Sequence, residues 1–290
     1  MIAANLSRTR LPATLIFLGM VGSLCMAQPQ LDKKVDIGGR RLHIAQAGAG
    51  AAAVVFESGL GEELATWNDV QPQVARFART VVYDRAGIGQ SDPTSQPTTI
   101  TTMVADLHSL LHAANIAAPY ILVGHSLGGT LVQVFAHTYP AEVAGLVLVD
   151  PEGGRLIERL HARMTAADWA ARQKALDDAM PNMPPAVVAE MNAGLKNGKA
   201  EDDALPLPNV PVVLLTGTKK NPEFPGNPLE QDLKLELHKE LLAKLPDGKH
   251  VLAPNSRHYI QNDEPQLVIN AIHDIVNRWT SNARPAPDKR

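Results

Sequence analysis

The stretch Gly124-His125-Ser126-Leu127-Gly128 sets a serine between two glycines, one two positions before it and one two after. That spacing suits a hydroxyl nucleophile. A serine carried on a very tight strand-to-helix turn sits in strained backbone geometry, and bulky neighbours on either side would clash. The turn thrusts the hydroxyl outward. It also aims the next backbone N–H, that of Leu127, at the point where an oxyanion forms, and the start of the following helix adds a favourable field there. The flanks have the required character. Tyr120-Ile121-Leu122-Val123 reads as a short buried strand, and Leu131, Val132, Val134 and Phe135 recur at helical spacing. The pattern reads as a nucleophile elbow with Ser126 as the attacking residue.

Such a serine needs a scaffold, and the chain supplies alternating elements. Residues 34–37 and 41–46 alternate in the manner of strands about Gly38-Gly39, a hairpin signal. Buried strands are expected at 53–56, 80–83, 146–149, 212–215 and 250–253, with helical spacing over 67–77, 101–114, 229–244 and 267–279. Strands alternating with helices imply a mostly parallel sheet with helices on both faces. One stretch breaks the alternation. Some sixty residues between Asp150 and Val210 carry helical patches (155–163, 166–179, 186–195) and no clear strand, too long for a plain loop. This reads as a small helical cap over the carboxyl ends of the strands, walling off Ser126. The organisation expected is a core over 28–151 and 209–281, a cap over 152–208 and a frayed polar tail over 282–290.

Composition narrows the function. With 45% hydrophobic and 20% charged residues over 290 positions, the chain can bury one large core. A net charge of −3, without a dense Lys/Arg run, points away from nucleic acid. No metal-ligand cluster is expected among the ten histidines, and a single cysteine offers no pair, so neither a metal nor another cofactor is expected. At the N-terminus, Arg8 and Arg10 precede an apolar run over 11–26 that ends in Cys25-Met26-Ala27. This has the layout of a secretory signal over 1–27, cleaved after Ala27. An exported mature chain without stable membrane insertion is expected.

Taken together, the Gly38-Gly39 hairpin, the loop Asp84-Arg85-Ala86-Gly87-Ile88-Gly89-Gln90-Ser91, the elbow around Ser126 and the late Ser256-Arg257-His258 resemble the α/β-hydrolase superfamily. The similarity runs over residues 31–279, in the right order. It implies an eight-stranded, mostly parallel sheet in which the second strand of the first hairpin is antiparallel. It also implies a Ser–acid–His triad in that chain order. His258, after the last strand, is the base by position; a hydroxyl needs one to become nucleophilic near neutral pH. The acid is open between two positions. Members of the family carry it after the strand at 212–215, where this chain offers no Asp but has Glu223. Others carry it at the end of the preceding strand, where Asp150 stands. The second oxyanion donor falls by position on the Leu60 backbone, in a loop where Ser58 replaces the usual histidine.

The activity these readings imply is cleavage of a small carboxylic ester through an acyl-enzyme. Lactonase, thioesterase, amidase and cofactor-free perhydrolase chemistry share the scaffold, as would a non-catalytic ligand-binding protein that kept it.

Overall fold

The computed structural model describes residues 31–196, 206–219 and 227–283. The signal segment over 1–27, Glu223 and the last residues of the expected tail lie outside the described residues.

Eight strands form one sheet in the order β1-β2-β4-β3-β5-β6-β7-β8. They are β1 (Leu31–Asp36), β2 (Arg41–Ala47), β3 (Ala53–Glu57), β4 (Arg79–Tyr83), β5 (Tyr120–His125), β6 (Val143–Val149), β7 (Val212–Gly217) and β8 (Gly248–Ala253). All run parallel except β2, which is antiparallel to both of its neighbours. This is the sheet that the alternating pattern and the resemblance imply. Every residue of β3, β5 and β7 is buried, which explains their continuous apolar runs: a strand covered on both faces has no polar side to show.

Successive residues serve two separate cores. Leu122, Leu146, Leu148, Val212 and Leu214 face one layer. It is completed by α2 (Ile100–Ala113) and α3 (Leu127–Thr138). Ile121, Val123, Val147, Val149, Val213 and Leu215 face the other. That layer takes in α1 (Gln71–Val74) and, near the end of the chain, Val268, Ile272 and Ile275. The period of two across the sheet therefore sorts neighbouring valines and leucines into opposite layers.

Between β6 and β7 come α4 (Gly154–Arg163), α5 (Ala166–Ala179) and α6 (Pro185–Met191), with no strand among the described residues of that insert. Leu156 and Leu160 of α4 bury against Leu233 of α7 (Asn227–Leu242). The other end of the insert lies against loops that follow three strands. A Cβ placed on Gly61, Gly87 or Gly194 would meet Val187, Ala186 or Leu127, respectively, within 3.0 Å. The chain closes with α8 (Ile260–Asp263) and α9 (Pro265–Ala283). No described helix is long and apolar enough to cross a membrane.

Candidate active site

Ser126 lies between the last residue of β5 and the first of α3, with φ 52° and ψ −121°. A non-glycine residue rarely adopts positive φ, and here both flanks fix it. Its N–H donates to the Val149 carbonyl of β6 (3.1 Å), and its carbonyl accepts from Gly129 N–H (2.9 Å) and Glu152 N–H (3.2 Å). The two motif glycines are forced by close approach. A Cβ on Gly124 would lie 2.3 Å from the Gly128 carbonyl oxygen, and one on Gly128 would lie 2.3 Å from that of Glu57. Leu127, as the first residue of α3, belongs to the turn whose N–H groups have no acceptor within the helix.

The structure brings Asp150 and His258 together. Asp150 directly follows β6 at φ 46° and is fully buried. Its Oδ1 accepts from Gly217 N–H at the end of β7 (2.9 Å), and its Oδ2 from His258 Nδ1 (2.8 Å). Among the described residues no hydrogen bond links the Ser126 hydroxyl to His258; the neighbouring His125 reaches the His258 backbone instead. The His125 ring is buried, with Nε2 donating to the His258 carbonyl oxygen (3.0 Å) and Nδ1 3.1 Å from Glu62 Oε2. That bond draws Glu62 far down, to about 2, although burial pushes the other way.

Two further charged groups complete the cluster. Lys234 of α7 donates to Asp150 Oδ2 and, at 3.0 Å, to Glu152 Oε1. Glu152 Oε1 also lies 3.3 Å from His258 Nδ1. Burial pushes the Asp150 carboxyl up, but the Lys234 ammonium and the His258 hydrogen bond outweigh it, holding it well below the ordinary carboxylate range. Glu152 is lowered by the same opposition of burial against His258 and Lys234. For His258, burial favours the neutral ring, while Glu152 and Asp150 together pull its pKa above the ordinary value. Four residues past Lys234, His238 is held neutral by burial, with its pKa lowered to about 4. Its Nε2–H donates to the Pro151 carbonyl (2.9 Å), and its Nδ1 lies 2.7 Å from Thr216 Oγ1, so it pins the Asp150-Pro151-Glu152 turn.

The loop after β3 is held by charge. Arg85 Nη1 donates to Glu57 Oε1 (2.6 Å) and the Ser58 carbonyl (2.7 Å), and Nη2 donates to the Gly59 carbonyl. Its Nε and Nη2 also grip Glu190 of α6 at 2.6 and 2.8 Å. Glu57 takes a further bond from the Tyr83 hydroxyl. Of three successive N–H groups, that of Gly59 goes to Glu62 Oε2 and that of Gly61 to Glu190 Oε2, each at 2.8 Å. The Leu60 N–H between them meets no acceptor among the described residues. Ser58, in the usual histidine position, accepts from Trp67 Nε1 (3.1 Å).

Sequence reasoning missed Lys234, Glu152, Glu62 and Glu190 as parts of this site. Lys234 carried no local signal: it shares one helical face with His238, and that both are buried shows only in the fold.

A family model of the alpha/beta hydrolase fold matches residues 52–286. The uncharacterised protein YqjL of Bacillus subtilis (strain 168) is 28% identical over 257 residues, covering 86% of this chain and 94% of that protein. A putative lipase of Acinetobacter baumannii AYE superposes with a TM-score of 0.66 at 18% identity, covering 87% of this chain and 93% of its own. A thermophilic esterase of Thermogutta terrifontis gives 0.61 at 20% identity, over 87% and 99%. At such identities the two structures speak for the fold, and they share it over nearly their whole lengths. With a family model spanning most of the chain and an eight-stranded sheet that is antiparallel only at β2, the protein belongs to the alpha/beta hydrolase fold family.

Proposed function

We propose that the protein is a serine hydrolase that cleaves carboxylic esters through an acyl-enzyme. Ser126 Oγ attacks the acyl carbonyl while His258 Nε2 takes its proton. The N–H groups of Leu60 and Leu127 receive the oxyanion. Collapse of the tetrahedral intermediate expels the alcohol, to which His258 returns the proton. A water then attacks the acyl-enzyme with His258 again as base, releasing the carboxylic acid and restoring the serine. Asp150 fixes the ring tautomer and stabilises the imidazolium.

The observation that carries this reading is the 2.8 Å bond from His258 Nδ1 to the buried Asp150 carboxylate. It commits the Nδ1 proton to Asp150 and leaves Nε2 as the basic nitrogen. Proteins described as lipase and esterase among the structural neighbours agree with the choice of ester. The helical insert, lying against the loops that carry Leu60 and Leu127, serves as the cap that shapes the pocket. Export after cleavage behind Ala27 belongs to the same reading.

A fluorophosphonate probe tests it. Labelling of the folded wild type that vanishes in Ser126→Ala is the expected result, together with turnover of p-nitrophenyl esters. Asp150→Asn should cost roughly 10³- to 10⁴-fold in kcat, and Glu223→Gln little. Folded protein that takes no label, or label that persists without Ser126, overturns the assignment.

A further inference from the structure

His108 and His112 lie four residues apart on α2, hence on one helical face. Glu142 ends the turn Pro140–Glu142 that leads into β6. The fold brings the three together. His108 Nε2 lies 3.0 Å from His112 Nε2 and 3.1 Å from Glu142 Oε1, and His112 Nε2 lies 3.8 Å from Glu142 Oε2. None of the three belongs to the site around Ser126.

Hydrogen bonding alone does not satisfy this arrangement. A neutral imidazole nitrogen carries either a proton or a lone pair, never both. If His108 Nε2 holds the proton, it serves Glu142 or His112 but leaves the other pair without one. If His112 donates to His108, the His108 lone pair faces a carboxylate. Glu142 Oε2 is in fact a buried acceptor with no hydrogen-bond partner among the described residues. A cation that accepts three lone pairs removes the conflict. Tetrahedral zinc, with bonds of about 2.0–2.2 Å to imidazole nitrogen and carboxylate oxygen, sets its ligand atoms about 3.3 Å apart. The 3.0 Å from His108 to His112 and the 3.1 Å from His108 to Glu142 Oε1 lie just under that edge, and the 3.8 Å from His112 to the other carboxylate oxygen lies above it. The His108 ring is also oriented in advance, stacked on Tyr139 at 3.8 Å between centroids and 6° from parallel.

We propose that His108 Nε2, His112 Nε2 and a Glu142 carboxylate oxygen form a binding site for one divalent transition cation of the zinc class. Two imidazoles and one carboxylate select zinc, nickel, cobalt or copper over magnesium and calcium, which prefer all-oxygen shells. The bound ion joins α2 to the turn entering β6. His112, whose side chain is 60% exposed, leaves the cluster open to solvent on its side. The proposal departs from the expectation from sequence that the histidines hold no metal. The four-residue spacing is written in the chain, but the acid reaches it only through the fold.

Titration of tag-free protein with Zn²⁺, followed by calorimetry, tests the site. The expected result is one ion per chain, undisturbed by excess Mg²⁺, with affinity at least roughly a hundredfold weaker in His112→Ala and also weakened in Glu142→Gln. His258→Ala is the control for the second His–carboxylate cluster, at Asp150 and Glu152, and should keep full affinity. Because His112 is so exposed, its loss leaves the fold intact, which a thermal melt of the metal-free variant checks. Absence of stoichiometric binding, binding that survives His112→Ala, or binding lost in His258→Ala overturns the proposal.

Discussion

The Nδ1 side of His258 faces two carboxylates, and behind them stands the Lys234 ammonium. These neighbours set opposing pulls on one imidazole. Proton abstraction needs the neutral ring, and the net pull raises its pKa, so kcat/KM should fall off on the acid side beginning above the ordinary histidine value of about 6.5. Removing the larger anionic contribution with Glu152→Gln should move that limb to lower pH while most of the maximal rate survives. Lys234→Met should move it to higher pH. It should also cost about 3–5 kcal/mol of stability, since the buried Asp150 and the part-buried Glu152 lose their cation. The pH profile of each variant, with a denaturant melt for the second, checks the signs; limbs that move together or stay fixed exclude this wiring. At this scale the sequence was half legible. Ser126 announces itself through glycines whose spacing has a steric cause. Lys234 looks like any lysine on a charged helix, because burial depends on elements far away in the chain.

The loop after β3 and helix α6 meet at Arg85. Glu190 takes a two-pronged grip from Arg85 and at the same time accepts the Gly61 N–H, one residue beyond the Leu60 donor assigned to the oxyanion. On the proposed mechanism Glu190 is thus a positioning residue. Glu190→Gln keeps the shape and removes the charge, and should lower kcat roughly tenfold with little change in KM, because an oxyanion donor counts mainly in the transition state. Steady-state kinetics on a p-nitrophenyl ester checks the split; a change confined to KM would place Glu190 in substrate binding instead. The strands and long helices were readable from periodicity alone. How the oxyanion loop is held was not, because its partners Glu57, Arg85 and Glu190 come from three segments and no local pattern marks an ion pair between them.

At the level of the whole chain, the alternation of strands and helices carried the sheet, its parallel sense and the insert after β6. Apolar runs of four or five residues, bounded by glycine and polar turns, fit strands buried on both faces. Strand order and the pairing of α4 with α7 rest on contacts distant in sequence, and these emerge only on folding. The exported state proposed above makes its own prediction: intact mass of the protein recovered outside the cytoplasm should correspond to a chain beginning at Gln28, and full-length mass there would rule out cleavage after Ala27. The Arg85–Glu190 joint carries a last implication, for how such a chain diversifies. An insert is commonly treated as an interchangeable module, free to vary with the molecule it must admit. Here the insert supplies a carboxylate to the loop beneath it, so exchanging it for a segment that lacks an acid at this point would leave the buried Arg85 guanidinium with Glu57 as its one carboxylate partner among the described residues and loosen the platform below. The insert and the loop it covers are therefore coupled at this joint and have to change together.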